Sequence, residues 1–161
     1  MEITVIDDSD IVGWMASATR EGEIYMQDVA SMVRNVLAAL VPYRRVCAPG
    51  QSNLKMNRLN ILDHGNDNGL EIGSDWITPR TVRRHEPELA KLNGNFAARG
   101  FVHLQHCNVG SNRSLMCELA RIFGVDVYAG TGKHNPVYRF NTGSYIRATP
   151  GGTYTVDVGR P

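Results

Sequence analysis

Arg58-Leu59-Asn60-Ile61-Leu62-Asp63 runs into His64-Gly65-Asn66-Asp67-Asn68-Gly69, and Phe101-Val102-His103-Leu104-Gln105-His106 runs into Cys107-Asn108-Val109-Gly110. Each stretch is a short, largely apolar run broken by residues that accept turn conformations, which reads as a strand and its exit. Between them, Thr81 to Ala98 carries a helical pattern that Pro87 and Gly94 interrupt. After the second strand, Ser111 is placed to cap a helix. Leu115, Leu119, Ile122 and Phe123 form its core stripe, Glu118 lies outside, and Gly124 ends it. Asp126 to Ala129 is the next strand. Strand, helix, strand, helix, strand in this order implies right-handed crossovers and an α/β fold, a mainly parallel central sheet with helices on both faces. Reactive groups in such sheets lie beyond the carboxyl ends of the strands, which is where His64-Gly65 and Cys107 stand.

Outward from this centre, Glu2 to Ile6 reads as a strand ending in the acidic turn Asp7-Asp8. Asp28 to Leu40 is a helix, with Val29, Met32, Val33, Val36, Leu37 and Leu40 at helical spacing and Pro42 as its stop. Cys47 to Asn57 reads as a loop, and Leu70 to Gly73 as the return of a short hairpin. From Val137 to Val158, apolar and polar residues alternate between Asn141-Thr142-Gly143 and Pro150-Gly151-Gly152, the pattern of a β hairpin or meander. Residues 1–161 suffice for one domain with a real core, and two would be cramped.

Composition excludes several classes of partner. The net charge is +1 and the arginines are scattered, so neither nucleic acid nor an anionic membrane is the expected partner. No run approaches the roughly 18 apolar residues of a membrane-spanning helix, and the start lacks a basic segment followed by an apolar one. The expected location is the cytoplasm, or outside it after export without a cleavable signal. Cys47, Cys107 and Cys117 are an odd, widely spaced set with no CxxC pair, which argues against a disulfide framework.

Cysteine chemistry at a strand end needs specific help. A free thiol has a pKa of about 8.5, so an imidazole must take its proton or stabilise the thiolate. The same imidazole later protonates the leaving amine. Donors must also receive the oxyanion, each contributing roughly 3 kcal/mol. Gly65 lets backbone approach a substrate closely, and the Cys107 turn opens a helix whose N-terminus is partly positive.

Ile61-Leu62-Asp63-His64-Gly65, then His106-Cys107-Asn108-Val109-Gly110, then Val125-Asp126-Val127-Tyr128-Ala129 resembles the caspase-like cysteine peptidase clan. Within it, the sequence is similar to uncharacterised bacterial domains found near the start of large surface proteins. The resemblance covers roughly Arg58 to Gly132. It implies a single caspase-like α/β/α sandwich and a cysteine endopeptidase, of the effector or processing kind, acting on peptide or protein substrates through an acyl-enzyme without a cofactor. His64 would be the general acid/base and Cys107 the nucleophile, with the N–H groups of Gly65 and Cys107 as oxyanion hole. Tyr128, Thr131, Lys133 and His134 would line the substrate pocket. Asp63 and His106 stand where this clan commonly carries small residues, which supports an alternative: a catalytically silent caspase-like module used for binding.

Competing readings of the same residues are weaker. Cys117 sits among apolar helix neighbours as a structural residue, and Cys107 taken alone is a small buried hydrophobe. His103 and Cys107 share a strand face but lie four steps of about 3.3 Å apart, too far for one ion, so no metal site is expected there. Gly130-Thr131-Gly132-Lys133 fails as a phosphate loop. Val127 replaces the first glycine, His134 replaces the hydroxyl residue, and Pro136 prevents the helix. Asp7 and Asp8 read as a solvated turn rather than a cation site.

Overall fold

The computed structural model describes residues 1–7, 23–46 and 55–161. Cys47, Asp8 and most of the loop expected from Cys47 to Asn57 lie outside the described residues.

Strands β1 (Glu2–Asp7), β2 (Ile24–Met26) and β3 (Met56–Leu62) are followed by a small set, β4 (Gly65–Asn66), β5 (Gly69–Ile72) and β6 (Asp75–Ile77). Then come β7 (Phe96–Gln105), β8 (Asp126–Gly130), β9 (His134–Asn135), β10 (Phe140–Asn141), β11 (Tyr145–Ala148) and β12 (Tyr154–Val158). The α-helices among the described residues are α1 (Val29–Val46), α2 (Val82–Leu89) and α3 (Arg113–Phe123). The main sheet has the order β12-β11-β8-β7-β3-β1-β2. From β8 to β2 every pair is parallel, while β11 and β12 add an antiparallel edge. The expected mainly parallel α/β sheet with packed helices and a C-terminal β hairpin is therefore present. Strand order reverses at β1, which places the topological switch point at the carboxyl ends of β1 and β3.

Alternation along the strands sorts two faces. Ile3, Val5, Leu59, Ile61, Val102, Leu104, Val127 and Ala129 all join one buried apolar cluster with α1, α2 and α3. The described helices pack side by side, α1 on α2 and α2 on α3, so they cover that face together. The opposite face of the same strands carries Arg58, Asn60, His103 and Gln105, the last three almost fully buried. These polar side chains bond to one another. Asn60 Nδ2 donates to Glu2 and Thr4 at 2.8 and 3.1 Å, and its oxygen accepts from Arg58 Nε at 2.7 Å and Gln105 Nε2 at 3.2 Å. Arg58 also donates to His103 Nδ1 at 2.7 Å.

Boundaries differ from the sequence reading in several places, β3 for one beginning at Met56 inside the expected loop. α1 continues to Val46 through Pro42, since a proline removes one N–H and kinks a helix without obliging it to stop. Pro87 likewise sits inside α2, on its exposed side, and the helical stretch ends in a 3-10 turn at Leu92. β7 then begins at Phe96, five residues before the expected start. α3 is capped by Asn112, whose side chain accepts from Leu115 N at 3.1 Å, while Ser111 closes a 3-10 turn before it. Gly124, in the left-handed conformation at φ 70°, ends α3 as expected.

Leu104 is buried at the centre of this arrangement, whereas Val156 is exposed on the edge strand β12. Leu104→Ala should lower stability by about 2–5 kcal/mol, and Val156→Ala by under about 0.5 kcal/mol, as read from urea unfolding midpoints.

Candidate functional site

Register decides where the two expected site residues fall. Leu62 pairs with Gln105 at the carboxyl ends of β3 and β7. Two residues further on, His64 and Cys107 leave adjacent central strands at the same level. Both line one small crevice of about 30 Å³, together with Leu62, Asp63, Gln105, His134 and Pro136. His64 is exposed and Cys107 half-buried.

Gly65 permits the approach. A Cβ there would come within 2.7 Å of Val109 Cγ2, 2.9 Å of His106 Cβ and 3.2 Å of the Cys107 carbonyl oxygen. Backbone of the His64 turn therefore lies directly on the Cys107 turn, which only a residue without a side chain allows. Asp63 fixes the other side of that turn. Its two oxygens accept the N–H of His64 at 2.7 Å and of Gly73 at 2.8 Å. Burial pushes the Asp63 carboxyl up to about 7, against those two hydrogen bonds and with help from Asp7 and Glu71. Gly73 in turn packs on Gln27, so the chain runs unbroken from β3 through the small sheet to the start of α1.

The Cys107 turn is held as closely. Asn108 takes the left-handed conformation at φ 58° and donates its N–H to the Gly132 carbonyl at 2.8 Å. A Cβ on Gly110 would meet the backbone of Ala129 and Gly130 at 2.8 Å, and one on Gly130 would collide with the Asn141 side chain. Asn112 reaches across to the Asp67 carbonyl at 3.0 Å and hooks the β4–β5 hairpin to the start of α3.

The other expected residues divide. His134 lines the crevice, and its backbone N–H donates to Cys107 Sγ at 3.3 Å. Thr131 and Lys133 belong to the loop leaving β8, where Thr131 Oγ1 takes the Ser144 N–H and Lys133 N donates to Thr142. Thr131 thus closes the loop rather than facing the crevice. Tyr128 is not brought to the crevice. It pairs with His103, packs edge-on against Phe101 at 5.1 Å, and lines a separate groove with Phe101, Arg99 and Pro150. Its place mid-strand puts it below the rim, which alternation alone could not reveal.

His106 is fully buried and donates through Nε2 to the Glu71 carbonyl at 2.9 Å, tying β5 to the end of β7. As a carbonyl only accepts, Nε2 carries the proton. Gln105 also lines the crevice. It lies two positions before the cysteine, and its polarity in an apolar run was the available signal.

A groove of about 670 Å³ lies elsewhere, along α3 beside Cys117, and is larger than the crevice. Its one carboxylate, Glu118, is already paired with Arg83 and Arg121. It offers Cys117 no base. Among the described residues no three His, Cys, Asp or Glu side chains are grouped to hold a metal ion. No helix among them is long and apolar enough to cross a membrane.

A sequence profile describing a domain of unknown function, DUF4347, matches residues 14–135, most of the chain. The chain belongs to the DUF4347 family. The matched span includes His64, Cys107 and His134, while β10 to β12 of this DUF4347 domain lie beyond it. No curated protein matches the sequence.

Two buried imidazoles, His103 and His106, and the half-buried His134 set the acid behaviour of the domain. Burial pushes His106 down to about 3, and burial with Arg160 nearby pushes His134 down to about 4. Burial and Arg58 hold His103 well below the usual histidine range. A lowered histidine contributes stability that is present above about 6.5 and lost as pH falls through the folded value. Asp63 acts oppositely, its contribution being lost as pH rises through about 7. Three groups outweigh one, so the melting temperature should fall on acidification from pH 7 to pH 4.5, and His106→Asn should flatten that slope.

Proposed function

We propose that this DUF4347 domain is a cysteine endopeptidase in which His64 and Cys107 act as a dyad. The observation that carries the reading is their exit from adjacent strands into one crevice, with Gly65 backbone packed on the Cys107 turn. A free thiol and an exposed imidazole at the carboxyl rim of a parallel sheet have the positions that acyl transfer requires.

His64 takes the Sγ proton as the sulfur attacks the peptide carbonyl carbon. A C–S bond forms, and the carbonyl oxygen becomes an oxyanion that the N–H groups of Gly65 and Cys107 receive. His64 then gives its proton to the amide nitrogen, the C–N bond breaks and the amine leaves. Water, deprotonated by His64, attacks the thioester, releasing the acid and restoring the thiol. The substrate is a peptide or protein, and the resemblance to caspase-like peptidases agrees with this assignment.

The narrowness of the crevice favours a second reading, a catalytically silent module that binds its partner at the same rim. Labelling and turnover separate the two. Under the peptidase reading iodoacetamide labels Cys107 in preference to Cys117 and Cys47 in the folded protein. Cleavage of a peptide mixture disappears in Cys107→Ala and falls by about 10²–10⁴ in His64→Ala, with the melting temperature nearly unchanged. Equal labelling of all three cysteines, with no cleavage, leaves the binding module standing.

A further inference from the structure

One donor to the Cys107 sulfur comes from outside both expected turns. We propose that the backbone N–H of His134 is a positioning group for the nucleophile, holding Sγ toward the crevice and favouring its thiolate. This inference rests on the reading of Cys107 as the reacting thiol.

The N–H is aimed there by the local pairing. Just beyond the β9–β10 pair the Thr142 N–H donates to the Lys133 carbonyl at 2.9 Å, and Lys133 N donates to Thr142 Oγ1 at 3.0 Å. Backbone groups alternate in direction along an antiparallel pair, so the next N–H, that of His134, points away from β10 and meets Sγ at 3.3 Å. The donor is also fixed before any substrate arrives. Asn141 clamps Gly132 on both sides, accepting its N–H and donating to its carbonyl, each at 2.8 Å. The Gly132 carbonyl is the group that accepts from Asn108, the residue after the nucleophile. The sulfur and its donor are thus joined by a short closed circuit through Asn108, Gly132 and His134.

Such an arrangement lowers the cost of charge on sulfur. A hydrogen bond to the ionised form favours that form, and an anchored N–H needs no reorganisation when the charge appears. The His134 ring makes no such bond, its Nε2 being buried and without a hydrogen-bond partner among the described residues. Ring and main chain can therefore be tested apart.

Amide NMR on the whole chain, combined with iodoacetamide kinetics, makes that test. As pH rises, the His134 amide proton should shift downfield with the midpoint of Cys107 alkylation, and this movement should vanish in Cys107→Ala. His134→Pro, which deletes the N–H, should slow alkylation at pH 7 about tenfold more than His134→Ala, which removes the ring and keeps the N–H. An amide that does not move, or moves equally in Cys107→Ala, overturns the proposal. Equal slowing in the Pro and Ala variants overturns it as well. Should circular dichroism show the Pro variant unfolded, the amide titration decides alone. His64→Ala keeps the two claims separate. Unchanged alkylation in that variant, with no turnover in the parent, sinks the dyad while leaving the His134 donor intact.

Discussion

Leu62 stands opposite Gln105, and the rim of this domain is organised by that pairing. Parallel strands have no tight turn to set their register, so it is fixed by which side chains enter the core. Leu59 and Ile61 on β3 match Val102 and Leu104 on β7 beneath the helices. A slip of β3 by one residue would turn Leu59 and Ile61 outward and bring Arg58 and Asn60 into the apolar layer. The cost of burying those polar groups unpaired holds the register, and the register delivers His64 and Cys107 to the same height.

That division of faces also explains the polar residues of β7. His103 and Gln105 lie on the side away from the helices and join Asn60, Arg58 and Glu2 in one hydrogen-bonded ladder. Since Nδ1 of His103 accepts from Arg58, its proton sits on Nε2, which is buried without a partner among the described residues. The ladder is consequently specific without being fully satisfied, a state more often met near functional sites than in plain scaffolding.

Much of this was legible in the sequence, for identifiable reasons. Strand exits at His64-Gly65 and Cys107-Asn108 are marked by residues suited to turns, and the α3 stripe has a clear period. Pro42 and Pro87 misled because a proline inside a helix costs one hydrogen bond and a kink without obliging the helix to stop, and a one-dimensional pattern does not decide which outcome prevails. Ser111 and Asn112 are both good caps, and only the 3-10 turn ahead of α3 chooses between them. Tyr128 needed the register with His103 to be placed below the rim. The His134 donor had no signal at all, since a main-chain N–H is the same for nearly every residue type.

Gly110, Gly130 and Asn141 stack so that bare backbone separates the nucleophile's turn from the loop that follows β8. The thickness of this column works as a spacer. One added methyl, at 2.8 Å from backbone on Gly110 or in collision with the Asn141 side chain on Gly130, would wedge the loop outward. Tolerance to substitution should therefore part company with burial here: some of the least substantial residues in the chain set the tightest mechanical dimension of its reactive rim.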